Sequence, residues 1–254
     1  MEIAEGGTYT RLRLECVPGQ NGGGIRGRIR GFSRRSRKRL LDLLNQVHRS
    51  VVASALFVTL TYPDHFPQDP ERWKRDLDAF FKRFRRKYPT AAVIWRLEFK
   101  TRKSGDNEGK IAPHFHLLVF NLPLFPKDLL ARWWYEIVGS GDPRHLQAGT
   151  RVERVRSWRG VMWYASKYIG KEDDEGFDLE AGRVWGVVGR ENLPIHLIQI
   201  PVTWTQFYRM RRVLRRWLSR RLKRKLKYAG LRGQGMTAYL DADSAARLLA
   251  WAVL

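Results

Sequence analysis

Cysteine and acid are both scarce in this chain of 254 residues. The single cysteine, Cys16, excludes an intrachain disulfide and a cysteine-built zinc site, and it fits a reducing compartment. Aspartate and glutamate total 25 against 48 lysines and arginines, which leaves a formal net charge of +23. The excess runs along the whole chain and suits a polyanionic partner, nucleic acid ahead of an acidic membrane surface. Long apolar runs are also missing. Val51–Tyr62 and Ala245–Leu254 come nearest, and neither approaches the ~20 residues of a membrane helix. Met1–Arg13 carries two glutamates and no apolar core, unlike a secretion signal, so a cytoplasmic protein with no membrane partner is expected.

What is present is enough to fold. Hydrophobic residues make up 43% of the chain, sufficient for a sizeable core. Residues 1–32 are glycine-rich and basic, and Gln20–Gly24 reads as a flexible loop. Arg26–Arg39 is dense in arginine. A helix is expected from near Ser36, with Leu40, Leu41, Leu43 and Leu44 on its apolar face. Ala55–Tyr62 reads as a strand from its β-branched and aromatic content. Asp69-Pro70 opens a helix whose apolar face is Trp73, Leu77, Phe80, Phe81 and Phe84. Ala92–Lys100 and His114–Phe120 are strands joined by a polar loop, which suits a hairpin. Helices over Phe125–Val138, Ser157–Gly170 and Thr205–Lys227 are expected, with shorter strands at Thr150–Val155, Arg183–Val188 and His196–Thr203. Strands in pairs with helices between them argue for an α+β fold with a largely antiparallel sheet.

Chemistry concentrates at Pro113-His114-Phe115-His116. Residues two apart on a strand share a face, so His114 and His116 project together as a chelating pair, while Phe115, Leu117 and Val119 face the other way. In Ala92–Lys100, Val93, Trp95, Leu97 and Phe99 form an apolar face, and Glu98 is the only acid on the polar one. Pairing the two strands brings Glu98 near the histidines. Two imidazoles and a carboxylate with open positions fit Mg²⁺ or Mn²⁺ in a phosphoryl-transfer site. The alternative for Glu98 is a surface salt bridge to Arg96 or Lys100. Within Ser157–Gly170, Trp158, Val161, Met162, Ala165 and Ile169 form a core face. Tyr164, Lys167, Tyr168 and Lys171 share another. A tyrosine can serve as nucleophile, with the lysines binding phosphate and stabilising phenolate. Thr59 and Thr61 read as β-branched strand filler. His65 reads as a loop histidine, and His48, His145 and His196 as structural or surface residues. Trp133, Trp134 and Tyr135 read as mostly core. The two arginine-rich segments, with Arg34 and Arg35 in one and Arg212, Arg215 and Arg216 in the other, are assigned to DNA backbone contacts together with Lys171.

Three motifs in order resemble the HUH endonuclease superfamily, specifically the replication initiators of rolling-circle plasmids and single-stranded DNA phages. Phe57-Val58-Thr59-Leu60-Thr61-Tyr62 resembles the first family motif, and His114-Phe115-His116 the histidine–hydrophobe–histidine motif. Tyr164-Ala165-Ser166-Lys167-Tyr168 resembles the nucleophile motif. Arg183-Val184-Trp185-Gly186-Val187 looks like a strand common among these initiators. The resemblance covers about Ala55 to Val188. It implies a central antiparallel sheet flanked by helices, with a metal on the sheet held by Glu98, His114 and His116. It also implies attack by Tyr164, with Tyr168 as a partner nucleophile and Lys167 beside them, leaving a 5′-phosphotyrosine and a free 3′-OH for a polymerase. No stretch matches the G-x-x-x-x-G-K-[ST] phosphate loop, so unwinding would fall to a host helicase. The expected organisation is a basic extension over residues 1–50, a nickase domain over 51–203 and a basic helical extension over 204–254. A transposase or relaxase of the same superfamily is the neighbouring reading. A non-catalytic origin-binding or repressor protein is the reading from another class.

Overall fold

The computed structural model describes residues 1–5, 10–14, 32–48, 55–122, 126–157, 181–223 and 236–253. The elements, in chain order, are β1 (Glu2–Glu5), β2 (Thr10–Leu14), α1 (Arg34–Leu44), β3 (Leu56–Thr61), α2 (Pro70–Lys87), β4 (Ala92–Thr101) and β5 (Ile111–Phe120). They continue with α3 (Lys127–Val138), α4 (Pro143–Ala148), β6 (Thr150–Arg154), β7 (Trp185–Val188), β8 (Leu197–Gln199), α5 (Trp204–Arg221), β9 (Met236–Leu240) and α6 (Ala242–Val253). The fold is α+β. The chain divides into two units: Met1–Ile25, Asn45–Arg49 and Ile195–Leu254 form one, and Arg26–Leu44 with Ser50–Pro194 forms the other.

The larger unit is built on a five-stranded antiparallel sheet in the order β6-β3-β5-β4-β7. One face is apolar. Leu56, Val58 and Leu60 from β3, Phe115, Leu117 and Val119 from β5, and Val93, Trp95 and Leu97 from β4 are all buried. Helices α2 and α3 cover this face. Trp73 packs near Phe99, Phe81 near Trp95, and Trp134 edge-on to Phe115. Each large side chain so buried contributes about 1.5–3 kcal/mol. The start of α2 is set as the sequence predicts: Asp69 is the N-cap, its side chain accepts from the Glu71 amide, and Pro70 occupies the first turn. The indole Nε1 of Trp134 donates to the Thr61 carbonyl at 2.6 Å, which ties α3 to the end of β3. At the end of β7, Gly189 has φ +65°, and a Cβ there would lie 2.4 Å from the Ala91 carbonyl oxygen, so only glycine fits.

The opposite face of the sheet meets α1. Ser33 opens this helix, its hydroxyl accepting from the Ser36 amide at 3.2 Å. The Ser36 hydroxyl accepts from the Trp185 indole at 2.7 Å. The buried Phe32 ring lies under the Arg96 guanidinium, 4.1 Å from its centroid.

The smaller unit holds a four-stranded antiparallel sheet, β8-β1-β2-β9. Its core joins Ile3 and Leu12 of the strands to Phe207 and Met210 of α5 and Leu248 of α6. Residues 1–14 and 236–253, read from sequence as parts of basic extensions, thus supply three of the four strands and a helix. Helix α5 begins with a capping box between Thr203 and Gln206 and ends at Arg221, earlier than the expected Lys227; Lys223, just beyond, has φ +50°. No helix among the described residues is long and apolar enough to cross a membrane.

Candidate active site

The register of the larger sheet decides which side chains meet. Central strand β5 sets Thr61, His114 and Glu98 opposite one another in one row, and Thr59, His116 and Arg96 in the next. Cross-strand neighbours share a face, so all six project from the face opposite α2 and α3. The second row continues to Arg151 on β6 and to Trp185 on β7. The alternation Phe115, Leu117, Val119 against His114 and His116 expresses a single fact: one face of β5 is core and the other is polar.

Glu98 and His116 are in contact. His116 Nε2 lies 2.8 Å from Glu98 Oε2, and the two residues are only 3% and 6% exposed, His116 the lesser. A carboxylate so far from water is tolerated only when partnered. A second cation helps: Lys100 Nζ is 3.7 Å from the same oxygen. Glu98 is therefore a buried acid facing a histidine, and its contact with Lys100 is no surface salt bridge. The other ring nitrogen of His116, Nδ1, is 3.1 Å from the Thr59 hydroxyl. With Nε2–H donating to Glu98, Thr59 donates to Nδ1. With Nε2 bare, Nδ1–H donates to Thr59. A hydroxyl serves either tautomer.

His114 is held neutral. Burial, then the positive charge of neighbouring His116 and Lys100, pushes its pKa down to about 4, against the opposing pull of Glu98. Its imidazole therefore keeps a lone pair at neutral pH.

The donor set fits a hard divalent ion. Two ligands bound cis to an octahedral Mg²⁺ at ~2.1 Å lie about 3.0 Å apart, close to the spacing of the Glu98–His116 pair. Nitrogen and carboxylate donors suit Mn²⁺ as well. His114 stands beside the pair, its Cα opposite that of Glu98, and closes on it by side-chain rotation alone. Among the described residues, three ligand atoms already within 4.8 Å of one another occur at Asp64, His65 and Asp106. These belong to loop positions, where Asp64 also accepts from the Asp106 amide and faces Arg102.

The remaining expected residues divide by position. Arg34 and Arg35 are exposed on α1, whose inner side holds Trp185 and Phe32 at the end of the His116 row. Arg212 and Arg216 are exposed and Arg215 half-buried on α5 of the smaller unit. Tyr164, Lys167, Tyr168 and Lys171 lie outside the described residues. His145 is buried, with Nε2 2.7 Å from the Thr61 carbonyl oxygen, and His48 stacks on His196 at 4.6 Å. Thr61 donates to the Gly149 carbonyl, in keeping with a strand role. Thr59 is different. Read from sequence as filler, it is a direct partner of His116, and aligning the first motif against the histidine strand would have exposed that. Arg96, buried against Phe32, also sits in the histidine row and carried no signal beyond its strand parity.

Residues 55–173 match a family of replication-associated proteins, the ORF2 type. The matched segment takes in β3 to β6, and with them Thr59, Glu98, His114 and His116. It also takes in Tyr164 to Lys171. The match supports a part in DNA replication. No curated protein and no solved structure matches the chain.

Proposed function

We propose that the protein nicks and rejoins one strand of single-stranded DNA at an origin or hairpin to initiate rolling-circle replication, as a metal-dependent tyrosine endonuclease and strand transferase. The observation that carries this reading is the buried Glu98–His116 contact with neutral His114 in register beside it, inside the segment that matches replication-associated proteins. A structural ion pair needs no second neutral imidazole on the same face.

Glu98, His114 and His116 hold a Mg²⁺ or Mn²⁺ ion. When bound, that ion polarises the scissile phosphate and stabilises the charge that develops on it. Thr59 fixes the His116 ring through Nδ1, leaving Nε2 free to ligate. The Tyr164 phenol loses its proton to solvent, helped by the charge of Lys167, and its oxygen attacks phosphorus. A phosphorus–oxygen bond to tyrosine forms, and the bond to the 3′ oxygen breaks. That oxygen keeps the electron pair and takes up a proton, giving a free 3′-OH and a 5′-phosphotyrosine. Tyr168 serves as the second nucleophile when the strand is rejoined. Arg34, Arg35 and Lys171 contact flanking phosphates. A host helicase and polymerase supply unwinding and extension.

The test is a denaturing gel of labelled single-stranded origin DNA incubated with protein in Mn²⁺ and in chelator. Wild type should give a metal-dependent covalent band, lost in Tyr164→Phe or only in the double change with Tyr168→Phe. Tight binding in chelator with no adduct on any origin-bearing strand would replace the enzyme with a non-catalytic DNA-binding protein.

A further inference from the structure

Helix α5 of the smaller unit has an outer face that combines exposed aromatics with unbroken positive charge. Its inner side, Phe207 and Met210 with Val213, Leu214 and Trp217, packs into the core. On the opposite side, Trp204, Tyr208, Arg212, Arg216 and Arg220 follow one another at intervals of four and are all exposed. Residues four apart on a helix are neighbours, so these five form a continuous stripe of about 24 Å at 1.5 Å per residue. Arg209 is exposed beside it. At the stripe's start, Trp204 and Tyr208 are 54% and 45% exposed, and their rings stack at 6.0 Å and 27°. Buried Phe207 holds both from beneath, edge-on at 5.9 and 5.3 Å, and the capping box fixes the turn that carries them.

A solvated helix face looks different, and this protein supplies the comparison. Helix α2, also of 18 residues, covers its outer side with ion pairs of opposite sign: Glu71 with Arg75, Arg72 with Asp76, and Asp78 with Lys82. Helix α5 contains no acidic residue at all. Two stacked aromatics left half in water, continuous with a row of arginines, match the two things a flexible strand of nucleic acid offers: exposed base faces and a charged backbone. A duplex hides its base faces within the stack and would leave the aromatics without a partner.

We infer that the outer face of α5 is a binding site for single-stranded DNA, with bases stacking on Trp204 and Tyr208 and phosphates running over Arg212, Arg216 and Arg220. DNA rather than RNA follows from the match to replication-associated proteins. The site is separate from the proposed metal centre and does not depend on nicking.

Binding is measured in chelator, by anisotropy of labelled oligo-dT and of a duplex of equal length, using the full chain. Trp204→Ala with Tyr208→Ala should weaken oligo-dT binding about tenfold or more, leave the duplex within about twofold, and leave the salt slope unchanged. Arg212→Gln with Arg216→Gln and Arg220→Gln should lower the salt slope for oligo-dT by about 2. Unchanged melting temperatures verify folding, and the arginine triple, being wholly at the surface, stands in if the aromatic pair does not fold. Equal loss on duplex, no loss on either, or tighter binding of oligo-rU than of oligo-dT would overturn the assignment. Because no metal is present, these outcomes are independent of whether a covalent adduct ever forms.

Discussion

Replacing Thr59 by valine removes one hydroxyl from the site and keeps its shape. In the protein that hydroxyl is 3.1 Å from His116 Nδ1, in a ring that is 3% exposed. Without it, Nδ1 has no oxygen at that position and water has little access. A buried polar group left unsatisfied costs about 1–3 kcal/mol. The loss falls on both forms of the ring, so folding stability should drop modestly, on the order of 1 kcal/mol after the gain from the added methyl. It falls harder on the metal-bound form, in which Nδ1 must carry the proton and the ring is polarised. Loss of such an outer partner weakens metal binding by roughly 10–100-fold, about 1.4–2.7 kcal/mol. Mn²⁺ titration by calorimetry should show that shift for Thr59→Val, and covalent adduct formation should need correspondingly more Mn²⁺. Thr61→Val is the control, because that hydroxyl donates to the Gly149 carbonyl. If Thr59→Val and wild type bind Mn²⁺ equally, or if Thr61→Val weakens binding as much, Thr59 does not position the ligand.

Other outcomes follow from the same geometry. The unfolded chain protonates His114 near its ordinary 6.5, whereas the folded protein resists until about 4, so stability should fall as pH drops through that window, by an amount on the order of 1–3 kcal/mol. Burial holds the His145 pKa down too, which adds to the same acid slope. Urea midpoints at about pH 7 and pH 4.5 should differ less for His114→Gln than for wild type, and an unchanged slope would contradict the neutral assignment. Phe32→Ala removes the buried ring beneath Arg96 and should cost about 3 kcal/mol, with faster amide exchange along α1. Tyr62→Phe deletes the 2.9 Å bond to buried Asp76 but leaves Arg72 on the other oxygen, so a loss of about 1.5–3 kcal/mol in urea unfolding, with DNA binding intact, is expected.

Strands β3, β4 and β5 were legible because each has a clean period of two with one apolar face, and that parity alone predicted that Glu98, His114 and His116 project together. Helix α2 was legible from Asp69-Pro70 and its aromatic spacing. The ends of the chain were not. Glu2–Glu5 and Thr10–Leu14 are short and carry charge on one side, where Arg11 bonds to Glu2 at 3.1 Å, so their period is too brief to register against the glycines around them. The role of Thr59 was hidden for another reason. It depends on which residue of β5 stands opposite, and register is a property of two strands together. The aromatics of α3 were read as core, and Trp134 is, packed against Phe115 and Tyr62.

The pairing of the two chain ends carries a consequence for the order of assembly. The Met1 ammonium donates to the Ile200 carbonyl at 2.6 Å across 199 positions. At a synthesis rate of roughly 5–20 residues per second, β1 and β2 wait about 10–40 s for their first partner. The five-stranded sheet is complete at Val188, before β8 exists. The histidine-bearing unit can therefore close while the first strands are still waiting, and the four-stranded sheet becomes the last part of the molecule to form. A chain that stops short of Leu240 leaves β2 with an open edge where β9 belongs, a ready template for pairing with another copy.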